Sequence, residues 1–198
     1  MIPRNLIITL VVMLAVAVGM SVYVWRMRGT ATVSSAAADS RPVAPPVTGP
    51  SEQVSLYVAY DDPGTLRVQS ARIPLPSGRQ ERAEELLRAL IGFYLEKSSP
   101  HPLPGGSEIR DVYLVDPGLA VVDVNAVLAD GHRSGVLEEE LTVASLVETL
   151  SSNIPGIVRV KILVDGKERE TLAGHADLSD YFDVAEVNQM VGQLQAEQ

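Results

Sequence analysis

The chain has 198 residues, 46% of them hydrophobic and 21% charged, a balance that describes a folded chain rather than a disordered one. Thirteen of its 16 basic residues and all 25 acidic ones follow residue 38. That part therefore carries a net charge of about −12, a sign that opposes nucleic acids and anionic lipid head groups. The absence of cysteine excludes disulfides, thiolate metal sites, a cysteine nucleophile and lipidation through an N-terminal cysteine.

Leu6 to Trp25 is free of charge and bounded by Arg4 on one side and by Arg26 and Arg28 on the other. Its helical length is about 30 Å, the thickness of a hydrocarbon core. Tyr23 and Trp25 stand at one end, where amphipathic rings favour the interface. The competing reading is a cleaved signal peptide with Ala36-Ala37-Ala38 as its processing site. The apolar run exceeds the usual signal-peptide core, and two arginines separate it from that site, which favours a transmembrane anchor over residues 1–28. Flanking charge leaves its orientation open. Residues 29–51, rich in small residues and proline, form a linker that spans about 25–30 Å.

From Val54 the pattern turns to folded structure. Val54, Leu56, Val58 and Tyr60 alternate as in a strand, and Asp62-Pro63-Gly64 makes a turn. The returning strand changes phase between Val68 and Ala71, which predicts a bulge near Gln69 or Ser70. Ser77 and Gln80 have the spacing of a capping box, and Ala83, Leu86, Leu87, Leu90 and Tyr94 predict a helix over about 79–95. A second hairpin follows, Ile109 to Val115 and Leu119 to Val124 around Asp116-Pro117-Gly118. Past the loop 130–135, with Ser134 as cap, Glu138, Glu139 and Glu140 load a helix start that continues through Leu150 and stops at Pro155-Gly156. Val158 to Val164 and Lys167 to Leu172 around Asp165-Gly166 predict a third hairpin. The order ββα-ββα-ββ predicts an α+β, two-layer domain over 52–183, a mainly antiparallel sheet with two helices on one face. In the remaining tail, 184–198, Asp183 and Glu186 cap a short helix that packs back on the domain or joins a second copy.

No phosphate loop, catalytic carboxylate pair or metal-ligand spacing stands out, so the expectation is a non-enzymatic domain without metal or cofactor. Ser134 beside His132 lacks the G-x-S-x-G context of a nucleophile elbow, and His175 with Asp177 offers too few ligands for a metal. His132, Arg133, His175 and Asp177 are accordingly candidates for interaction loops.

Several short runs, in order, resemble the GerM domain family. They are Leu56-Tyr57-Val58; Glu84 through Leu90; Leu103-Pro104 with Ser107; Ala120 through Val124; Leu141 through Leu150; Val160 through Gly166; and Leu172 through Leu178. The likeness covers roughly Val54 to Phe182. It implies a fold similar to ring-building modules and a place outside the cytoplasmic membrane. It also implies a part in assembling an envelope complex during sporulation or germination, and it brings no catalytic residue set. Many members are lipoproteins, whereas this chain lacks the cysteine for such an anchor. The resulting expectation is a single-pass membrane protein whose extracytoplasmic domain recruits or scaffolds cell-envelope proteins. A homo-oligomer stays open, as do a cell-wall glycan or small-ligand module and a hydrolase using His132 with Ser134 or His175 with Asp177.

Overall fold

The structure is a computed structural model that describes residues 13, 50–115 and 117–196. Residues 50–196 belong to one compact unit, Val47–Gln198. The expected anchor (apart from Met13) and the linker up to residue 49 lie outside the described residues, as does Asp116. Among the described residues no helix is long and apolar enough to cross a membrane.

The elements are β1 (Ser51–Tyr60), β2 (Thr65–Pro74), α1 (Arg79–Tyr94), β3 (Ile109–Val115), β4 (Leu119–Val124), α2 (Ala126–Gly131), α3 (Val136–Asn153), β5 (Arg159–Val164), β6 (Phe182–Asp183) and α4 (Val184–Ala196). The mixed α+β class read from the sequence is what folds. Its strands, however, form two sheets: β1 pairs with β2, and β3-β4-β5-β6 form a second sheet. All pairings are antiparallel except β4 with β5, which run parallel because the α2–α3 crossover joins them.

The separation of the sheets has a local cause. The outward N–H groups of Ser55 and Tyr57 donate to Asn153 Oδ1 (3.1 Å) and Thr149 Oγ1 (3.0 Å) on α3. Ala59 N–H donates to the Tyr94 hydroxyl at 2.8 Å, and Asn153 Nδ2 returns a bond to Ser55 C=O at 2.7 Å. Helix side chains thus take the hydrogen bonds that another strand would have made along β1.

Four local expectations are corrected. The β1–β2 register runs unbroken from Thr65 to Pro74, with no bulge near Gln69 or Ser70. The phase change arises because Leu66, paired with Ala59, is buried on the opposite face, at the end of β2 where Gln195 of α4 donates to Leu66 C=O. Helix α1 is capped by Gly78 rather than by a Ser77–Gln80 box. Helix α3 begins at Val136 with Gly135, not Ser134, as N-cap. The third hairpin stops at its turn: Asp165 (φ 51°) and Gly166 (φ 71°) reverse the chain and Val164 bridges Lys167, but Lys167–Leu172 is not a strand. Lys167 to Glu170 are four consecutive charges with nothing apolar to bury until Leu172. The second neighbour of β5 is β6 instead.

Among helices, α2 is absent from the sequence reading, although Asn125 caps it by accepting from Leu128 N–H at 3.1 Å. The tail helix α4 starts where expected, Asp183 Oδ1 accepting from Ala185 N–H at 2.9 Å, and it buries Val187 and Val191. Side chains from every major element join one apolar core.

Gly118 closes the β3–β4 turn at φ 83°, and a Cβ there would lie 2.7 Å from the Gly156 carbonyl oxygen. That carbonyl belongs to the connection into β5, whose Val158 N–H donates to Gly118 C=O at 2.8 Å. Gly118→Ala is expected to lower stability by about 2 kcal/mol, combining left-handed strain with displacement of backbone. Chemical denaturation checks it; a change within experimental error would show that the turn yields freely.

Candidate functional site

The sequence candidates fall in two loops that meet over the start of α3. Ser134 Oγ lies 3.3 Å from His175 Nδ1. Beneath them, Glu139 is fully buried. Its Oε2 accepts from the backbone N–H groups of Ala173 (2.9 Å), His175 (3.0 Å) and Ala176 (2.9 Å). Its Oε1 accepts from Gly135 N–H at 3.3 Å and sits 3.0 Å from His175 Nδ1. Burial raises the pKa of this carboxyl, but three backbone donors and His175 outweigh it and bring the value down to about 2. The ionised Glu139 therefore holds the 173–176 loop in place.

A second network lies deeper. His101 Nδ1 faces Asp61 Oδ1 at 2.5 Å, and His101 Nε2 faces Thr142 Oγ1 at 2.6 Å. His132 Nε2 meets the same hydroxyl at 2.7 Å, while its Nδ1 donates to Arg133 C=O at 2.7 Å. Arg133 pairs with the other oxygen of Asp61. The Tyr94 ring meets His101 edge-on, centroids 5.1 Å apart. Burial holds the His101 pKa below its ordinary value, against the opposing pull of Asp61.

Carboxylate, imidazole and hydroxyl in sequence have the connectivity of a nucleophilic triad. Here His101 and Thr142 are each 1% exposed, so a substrate has no approach to the hydroxyl. Thr142 Oγ1 also lies 3.1 Å from Glu138 C=O and is shared by two imidazoles. The arrangement ties the β1–β2 turn, the loop between α1 and β3, the α2–α3 connection and α3 together.

The two hydrolase pairings read from the sequence are not assembled. His132 is buried with both ring nitrogens bonded away from Ser134. Ser134 and Glu139 both approach the same nitrogen of His175, Nδ1, whereas a proton relay uses the two nitrogens separately. Asp177 accepts from Ser179 N–H (2.8 Å) and Oγ (2.6 Å) and serves its own turn. Of the four candidate loop residues, Arg133, His175 and Asp177 reach the surface and His132 points inward. Among the described residues no group of His, Asp and Glu is placed to hold a metal ion.

The sequence reading gave Asp61 only a turn role and did not single out His101 or Thr142. A histidine among prolines, in a chain with three histidines, is a weak signal; its partners are 40 and 41 residues away.

Beside His175 a cleft of about 460 Å³ opens between α3, the 175–183 segment and α4. Its apolar lining includes Val143, Phe182, Val187 and Met190.

The fold is that of a GerMN domain. It matches the tandem GerMN domains of the sporulation protein GerM from Bacillus subtilis with a TM-score of 0.53 and 19% identity, over 69% of this chain and 47% of that one. The chain thus spans about half of the tandem structure. The first GerMN domain of the same protein matches with a TM-score of 0.49 and 22% identity, over 67% of this chain and 97% of that one. A Clostridium perfringens protein titled as a lipoprotein matches with a TM-score of 0.49 and 22% identity, covering 71% and 92%. Comparison with curated protein sequences finds no match. A family model described as sporulation and spore germination matches residues 55–170, and the chain belongs to that family, Germane.

Proposed function

We propose that this chain is a membrane-anchored, extracytoplasmic, non-catalytic interaction module that assembles cell-envelope proteins, in a sporulation- or germination-related role by family. The observation that supports it is an open strand edge. Because the outward groups of Ser55 and Tyr57 point away from β2, the paired residues Ser70 and Val68 also point theirs outward, on the far side. Arg72 follows in the same phase. Among the described residues nothing pairs with these backbone groups, and Val68 is 56% exposed. A partner strand that adds to this edge gains main-chain hydrogen bonds without any chemistry. Arg67 and Arg72 on β2 favour an incoming strand that carries carboxylates. Arg133, His175 and Asp177 supply a second exposed patch for contacts.

The test is in-cell crosslinking of the full-length protein followed by mass spectrometry, in wild type and Ser70→Pro. Proline at an outward position removes a donor the hairpin does not use and blocks an added strand, so the domain stays folded. The expected result is capture of one or two envelope proteins by wild type and loss of that capture in Ser70→Pro. Unchanged capture in the variant would overturn the role of the edge, and no captured protein in wild type would overturn the module itself.

A further inference from the structure

The cleft beside α4 has a size and a charge pattern that select its occupant. At about 460 Å³ it falls within the range of small-ligand sites, room for a few side chains but not for a folded surface. Val143 and Val187 at its base are buried, and Phe182 and Met190 are half-buried. Four carboxylates, Glu140, Asp177, Asp183 and Glu186, stand around this apolar surface, and no lysine or arginine lines it. Asp177 and Asp183 are engaged with backbone N–H groups at the turn and at the start of α4. The side-chain carboxylates of Glu140 and Glu186 have no ion pair or hydrogen bond among the described residues. Arg159 and Lys161 lie over the Tyr181 ring, at 5.2 and 5.7 Å, and are not part of the lining.

We propose that this cleft is a docking site for a segment of a partner protein in which a lysine or arginine adjoins a large apolar side chain. The apolar side chain enters against Val143, Val187 and Met190, and the cation sits between Glu140 and Glu186. The field of the strongly acidic domain speeds its approach, and like charge turns away acidic segments. The proposal rests on the interaction reading and gives an occupant to the surface that His175 and Asp177 share, apart from the β2 edge.

The experiment uses the full-length protein in phosphatidylcholine nanodiscs, with empty nanodiscs as reference. The probes are fluorescent amidated peptides alternating lysine with leucine, glutamate with leucine, and lysine with glycine. Binding of the lysine–leucine peptide alone, weakened by salt, is the expected result in an anisotropy titration. The double variant Glu140→Gln/Glu186→Gln changes only half-buried or exposed side chains and is expected to bind about fivefold more weakly. Met190→Arg, which places a cation in the cleft, is expected to abolish binding. Equal binding of the glutamate–leucine peptide, or an unaltered affinity in the double variant, would overturn the proposal. Ser70→Pro separates the two readings, since it retains peptide binding if the cleft acts on its own. Peptide binding without any crosslinked partner in cells would leave the cleft standing and remove the assembly role.

Discussion

Thr142→Val is expected to destabilise the domain by about 2–3 kcal/mol, a large effect for a near-isosteric change. The substitution keeps shape and removes one hydroxyl, yet that hydroxyl is the partner of Nε2 in both His101 and His132. Both imidazoles are buried, at 1% and 8% exposure, so neither nitrogen gains water in exchange. Among the described residues the substitution takes away the only polar partner within reach of these buried nitrogens, and an unsatisfied buried polar atom carries a desolvation penalty of about 1–3 kcal/mol. Urea denaturation of wild type and variant at neutral pH measures it. A loss under about 1 kcal/mol would show that the two histidines do not depend on this hydroxyl. Because burial lowers the His101 pKa, wild-type stability should also decline as pH falls below the ordinary histidine value of 6.5, where the unfolded state takes up the proton first.

Glu139→Gln follows closely, with an expected loss of about 2–4 kcal/mol. One carboxylate oxygen accepts three backbone N–H groups and the other a fourth, so an amide of either orientation sets its own N–H₂ against backbone donors. The pH dependence identifies the charge. A carboxyl brought from 4.5 down to about 2 by folding contributes stability that is complete above pH 4.5 and disappears as pH falls through 2. Between pH 7 and pH 3 wild type should lose about 2 kcal/mol from this group alone, and Glu139→Gln should lack that loss. Equal acid sensitivity in the two proteins would sink the assignment.

The helices α1, α3 and α4 and the first two hairpins were legible from the chain because each is written in a local period. Leu86, Leu87 and Leu90 share a helix face whatever surrounds them, and Val121 and Asp123 alternate with Val122 and Val124 in any sheet. The third hairpin misled for the same reason. Asp165-Gly166 does form its turn, but pairing beyond a turn needs side chains that gain by lying in the sheet, and Lys167 to Glu170 do not. Likewise Ser134 looks like a cap by type and spacing, while Gly135 takes the position because the Glu139 carboxylate already accepts its N–H.

The candidate site divides along the same line. That loops 131–135 and 173–177 carry chemistry-bearing residues was readable, and so were the membership of the family and the mixed α+β class. That Ser134 would face His175, that His132 would turn inward to Thr142, and that Asp61 would reach across 40 residues to His101 was not. Periodicity and turn chemistry act over a few residues and are fixed by composition along the chain. Which buried polar atoms meet, which strand edge α3 covers and which is left open depend on distances between segments far apart in sequence, and those exist only once the core has packed.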